Sequence, residues 1–184
     1  MSPDSIGPSL LIASPQMRDA FFEQTLVLLW HHDDGGAIGV VVNRPIHHRL
    51  SDVLVLGEGM PDVPADDESP VLWGGPVEGD AGTVITLGEV HADEGWQLAC
   101  GINVTRSQEA LARLLEERAP LILCLGYAGW GPGQLDREIE AGGWLWTDID
   151  PRLVFEVPTE TRWETALATL GLTPTTVWMR PISE

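Results

Sequence analysis

Apolar positions in this chain come in short unbroken runs, with only a few stretches at helical spacing. Residues 9–13 (Ser-Leu-Leu-Ile-Ala) read as a buried strand that Pro15 ends. Asp19 to Gln24 is a connector carrying Phe21 and Phe22. Residues 25–30 and 37–43 are two further apolar runs, the second rich in β-branched residues. Between them His31 to Gly36 has turn composition, so the pair reads as a hairpin with a long loop, stopped by Arg44-Pro45. Residues 70–73 enter a turn at Gly74-Gly75-Pro76, and 82–87, 101–104, 121–125 and 144–149 are more extended segments.

Helical spacing appears in three places. Leu111, Leu114 and Leu115 form one apolar face behind a capping-box pattern at Thr105 to Gln108. A short helix is predicted from about Gln134, with Leu135 and Ile139 inward and Gly142 as its stop. Trp163, Ala166, Leu167 and Leu170 repeat at 0, 3, 4 and 7 behind a second capping box at Thr161 to Glu164, and Gly171 closes that helix. Residues 57–69, with Glu58, Asp62, Asp66, Asp67 and Glu68, read as a mobile surface loop. Many strands and few helices imply an α+β fold: a single compact domain over residues 1–184, with a mixed β-sheet. At 184 residues such a domain needs neither metal nor disulfide to fold.

Charge narrows the function. Ten basic residues against 28 acidic give a net charge of −18. All the basic residues are Arg, which excludes mechanisms built on a Schiff-base or phosphate-binding Lys. The field opposes phosphate backbones and anionic membranes, and the Arg residues are scattered, so direct nucleic-acid binding is not expected. No run approaches a membrane span, and residues 1–7 lack signal-peptide character. The expectation is a cytoplasmic protein with no cofactor and no metal. Cys124 lies in an apolar run and reads as a buried thiol. His31-His32 and His47-His48 are adjacent pairs, and each offers one ligand at most to a common site. His32, Asp33 and Asp34 remain a weak metal candidate, and no nucleophile motif is present.

Residues 126–133 carry the most information. They hold four glycines, Tyr127 and Trp130 between a buried strand and a helix start. Two readings stay open: an anion or peptide pocket walled by Tyr127 and Trp130, or a tight crossover whose aromatics fill the core. Asn43 and Arg44 at a strand end, with Gly74 and Gly75, offer further walls for a cleft over 43–45, 74–76 and 127–134. The binding candidates are Asn43, Arg44, Gly74, Gly75, Tyr127, Gly129, Trp130, Gly131 and Gln134.

Four blocks carry a resemblance. They are residues 11–15 through 36–45, Trp73 to Val77, Gly126 to Leu135 continuing to Trp144-Leu145, and Asp150-Pro151 to Phe155 with Arg162-Trp163 and Ala166-Leu167. Together they resemble the AlgH/YqgE family of small bacterial proteins, in order along nearly the whole chain. Gly142-Gly143 departs from the polar and small pair usual there. The resemblance implies a compact α+β domain around a mixed, barrel-like sheet. It also implies a transcriptional-regulator label resting on genetics rather than on a DNA-binding motif, and no established activity. The expected function is a non-catalytic regulatory or binding module acting through a protein or small-molecule partner. The alternatives are an enzyme using the cleft above and, behind it, a DNA-binding regulator.

Overall fold

Runs such as Leu26 to Trp30 are apolar at every position because both faces of their sheet are covered. The computed structural model describes residues 6–54 and 62–175. Its strands are β1 (Ser9–Ala13), β2 (Leu26–Asp33), β3 (Gly36–Val41), β4 (Val71–Trp73), β5 (Val77–Thr86), β6 (Gly95–Gln97), β7 (Asn103–Thr105), β8 (Leu121–Trp130) and β9 (Trp144–Thr147). Its helices are α1 (Leu50–Leu54), α2 (Gln108–Glu116), α3 (Gln134–Glu140), α4 (Pro151–Phe155) and α5 (Thr159–Thr169). The sheet runs β6-β7-β5-β8-β3-β2-β1-β9 and curls into a half-barrel. Its pairs are antiparallel except for β4, which lies parallel to β8. The α+β expectation holds.

Three apolar clusters form the core. Leu10, Ile12, Leu26 and Leu28 pack on one sheet face with Val154, Trp163 and Leu167 of α4 and α5. Leu11, Val27, Leu29, Trp130 and Trp144 pack on the other with Leu135 of α3. Leu111, Leu114 and Leu115 of α2 cover Val84 and Leu123 together with α1. A bulge between Leu29 and His31 keeps Trp30 in the first cluster and turns His32 to the opposite face. There His32 Nε2 lies 3.0 Å from Asp136 Oδ1.

Several expectations need correction. The His31–Gly36 loop is only a two-residue turn, Asp34-Gly35, because Asp33 Oδ1 accepts the Gly35 N–H at 2.7 Å and the His pair extends β2. The N-cap of α2 is Ser107, whose hydroxyl oxygen accepts the Ala110 N–H at 3.1 Å, while Thr105 ends β7. Helix α5 starts at Thr159 behind Pro158, two residues before the expected box, and Leu170 is exposed. Strand β5 begins at Val77, and the 101–104 segment settles as β7. Short elements α1, α4 and β6 add to the pattern. Of the expected loop, residues 57–61 lie outside the described residues. Residues 62–69 carry no helix or strand, and Arg118 holds Asp66 there at 3.0 Å.

Candidate functional site

The largest correction falls on residues 126–133. Residues 126–130 continue β8, which pairs with β4 and β5 through its first half and with β3 through its second. Gly126 has φ +79° at the joint between the two halves. Gly74 donates to the Leu125 carbonyl at 2.7 Å, and its own carbonyl accepts from Val41 N–H at 2.8 Å. A Cβ on Gly74, Gly75 or Gly126 would collide with backbone across this seam. These glycines therefore let two chain segments touch and leave no room for a ligand. Residues 74–75 meet 126–127 as packed backbone, while Arg44 and Pro45 pair with Trp73 and Leu72, so the three segments do not line the expected cleft.

The other candidates separate. Asn43 Oδ1 accepts the Leu26 N–H at 2.9 Å and its amide donates to the Gln24 carbonyl, which fastens the start of β2. The Arg44 guanidinium lies over the Trp73 ring, 5.6 Å from its centroid, and donates to the Glu23 carbonyl. Gly129 is exposed, between buried Ala128 and Trp130 and opposite Ile38. The Gly131 N–H donates to Gln134 Oε1 at 3.0 Å, so a side chain already occupies the donor proposed for an anion.

Tyr127 and Trp130 stand three residues apart on a strand and so face opposite ways. They cannot wall one pocket. Tyr127 packs beside Trp30 under the Arg106 guanidinium. Trp130 is buried with Phe22 at 6.2 Å and Trp144 at 6.0 Å between ring centroids. Its indole and the Gln134 side chain lie close enough to Glu138 to oppose the rise of its carboxyl pKa. Glu138 Oε2 is buried and has no hydrogen-bond partner among the described residues. Desolvation raises the Glu138 pKa above the ordinary carboxylate value, and the nearby Asp19 charge adds to that. Glu138 lines a pocket of about 340 Å³ together with Met17, Asp19, Phe22 and Trp144.

A family model described as AlgH-like matches residues 10–175. The chain belongs to the AlgH-like family. A UPF0301 protein of Shewanella sp. strain ANA-3 is 37% identical over 177 residues, covering 91% of this chain and 92% of that one. A UPF0301 protein of Anaeromyxobacter dehalogenans is 40% identical over 183 residues, with 94% and 92% covered. The solution structure of AlgH from Pseudomonas aeruginosa matches with TM-score 0.77 and 31% identity, over 100% of this chain and 98% of that one. A Corynebacterium diphtheriae crystal structure shares the fold at TM-score 0.69 and 24% identity, over 92% and 90% of the two chains.

Membership in the AlgH-like family fixes the fold, while the chemistry has to come from the site. Sequence reasoning missed Glu138 although a signal was present. It lies three residues after Leu135 and beside Ile139, so an acid sits at the margin of the helix's apolar face. His32 and Asp33 do not share a site, since His32 meets Asp136 while His31 meets Asp33 at 2.8 Å. Cys124 is buried, which pushes its thiol up to about 12, and Cys100 is exposed. No helix among the described residues is long and apolar enough to cross a membrane.

Proposed function

We propose that this protein is a non-catalytic binding module that receives a cationic group of a partner, an ammonium or guanidinium, in the pocket at Glu138. The observation that carries the reading is the buried Glu138 Oε2 without a donor, in a pocket lined by Phe22 and Trp144. A buried carboxylate oxygen costs free energy until a donor reaches it, and aromatic rings favour a cation as that donor. Asp19 adds a second negative charge, Arg18 on the same lining offsets one of the two, and the net charge of −18 favours a basic protein segment as the source. The same charge counts against duplex DNA, and retention of DNA at physiological salt would reverse that point. A cytoplasmic location is part of this proposal.

The test uses butylguanidinium as probe, followed through the Trp130 and Trp144 indole signals. Glu138→Gln is expected to weaken binding about tenfold, because the charge-assisted bond is lost. Equal affinity for both proteins, or no binding to either, overturns the reading.

The raised Glu138 carboxyl also favours a second reading, an enzyme with Glu138 as general acid. The two readings have opposite pH signs. Cation binding strengthens as pH rises through the Glu138 pKa, whereas acid catalysis fades over the same interval.

A further inference from the structure

Arg18, Arg113, Arg118 and Arg152 each stand in an ion pair with a neighbouring acid. Arg162 does not. It is 5% exposed and forms no ion pair among the described residues, in a chain with 28 acidic residues. Its Nε and Nη2 donate to the Val157 carbonyl, and its Nη1 donates to the Val42 carbonyl. A guanidinium carries five N–H groups, so one on each terminal nitrogen has no hydrogen-bond partner among the described residues. Burial lowers the Arg162 pKa to about 10 and the nearby Glu160 charge opposes that fall, so the group is a cation at neutral pH. A buried cation without a counter-ion is costly.

Arg162 lines a cavity of about 240 Å³ between α4, the start of α5 and the strands β4 and β8. Its apolar walls are Leu72, Ile122, Val154 and Phe155. Walls and cation share one face of the sheet. Leu72, Ile122 and Val154 belong to the same apolar cluster as Cys124 and Trp163, and Phe155 packs against that cluster. The Arg162 charge acts on Cys124, and its guanidinium reaches the carbonyl of Val42, another member. Thr159, also on the lining, opens α5 behind Pro158 with no side-chain cap, which places the positive end of that helix beside the cavity. The Ser69 hydroxyl on the lining is taken, since it donates to Asp67 at 3.1 Å.

We propose that the Arg162 cavity is a second binding site, taking a small carboxylate with a compact apolar body about the size of a benzene ring. The carboxylate accepts from the uncommitted N–H groups of Arg162 and supplies its missing counter-ion, while the body lies against Leu72, Ile122 and Val154. A cavity of roughly 150 Å³ holds benzene, so about 240 Å³ leaves space for the ring and its head group. The carbonyls of Val42 and Val157 already fix the guanidinium, which lowers the ordering cost of binding. Glu160, which is not on the lining, and Asp67 oppose the anion and limit affinity. This proposal is independent of the Glu138 pocket, which lies with α3 on the opposite face of the sheet.

The test is calorimetric titration of the whole chain with benzoate, its neutral isostere benzamide, and acetate. Benzoate is expected to bind at least about tenfold more tightly than benzamide, and acetate not measurably, since both the cation and the apolar contact are needed. Methyl NMR during the benzoate titration should show shifts at Leu72, Ile122 and Val154. Glu160→Gln, at an exposed position, should tighten benzoate about two- to threefold and leave benzamide unchanged. Arg162→Met should remove the preference for benzoate, and its melting curve without ligand shows whether it folds. The wild-type and Glu160→Gln titrations decide the matter whether or not it does. No benzoate binding, equal affinity for benzoate and benzamide, methyl shifts confined to other cavities, or a retained preference in folded Arg162→Met overturns the proposal.

Discussion

The two faces of β8 treat charge in opposite ways. On the Tyr127 face a guanidinium stands at the surface, held by ring faces, with its terminal donors unspent. On the Trp130 face a carboxylate is drawn inward beside an indole and an amide, with one oxygen buried and lacking a donor among the described residues. The aromatic residues differ accordingly. Half-buried Tyr127 supports a side chain that reaches outward, whereas buried Trp130 fills the core and orients a group beneath the surface. An aromatic beside a glycine-rich segment thus has no single meaning, and the strand face it occupies decides its role.

Truncating each aromatic tests this contrast most forcefully. Trp130→Ala should cost about 3–5 kcal/mol and lower the melting temperature by roughly 10 °C, since it opens the Phe22–Trp144 cluster. Tyr127→Ala should cost less, about 1–3 kcal/mol, because its ring is only half-buried. Near-equal losses would erase the distinction. Gly126→Ala reaches both faces at once. Its positive φ and the backbone of Gly75 leave no room for a methyl, so a loss of about 2–4 kcal/mol is expected by denaturant unfolding.

The apolar runs made β1, β2 and β4 legible, and the leucine spacing made α2 and α3 legible, because burial itself writes those patterns. Residues 126–130 were misread since glycine carries a turn signal in any local window. The reason for Gly126 is the backbone of Gly75, some fifty residues away. The bulge at Trp30 was equally hidden, as it depends on the register against β3. For the site, Tyr127, Trp130 and Gln134 were expected to share one binding surface. Their separation follows only once the segment is seen to be a strand. Arg106 escaped notice because its partners, Thr83, Trp30 and Tyr127, lie on three other strand segments.

A smaller effect sharpens the Trp130 face through pH. The raised Glu138 pKa means that the native state takes up its proton at a higher pH than the unfolded chain does. Stability therefore rises as pH falls through the native pKa, and the gain is complete below the unfolded value. Glu138→Gln should flatten that part of the stability profile and melt no lower than the wild type at neutral pH. A profile unchanged by the substitution would mean that the carboxyl is already satisfied.

The smallest effect belongs to the Tyr127 face. Tyr127→Leu keeps an apolar contact under Arg106 but removes the ring whose face attracts the guanidinium. An exposed cation–π contact contributes about 0.5–1 kcal/mol, so the variant should lose about that much stability in denaturant unfolding. Tyr127→Phe keeps the ring and should be as stable as the wild type. A leucine variant as stable as the wild type would show that the ring face adds nothing to holding the guanidinium.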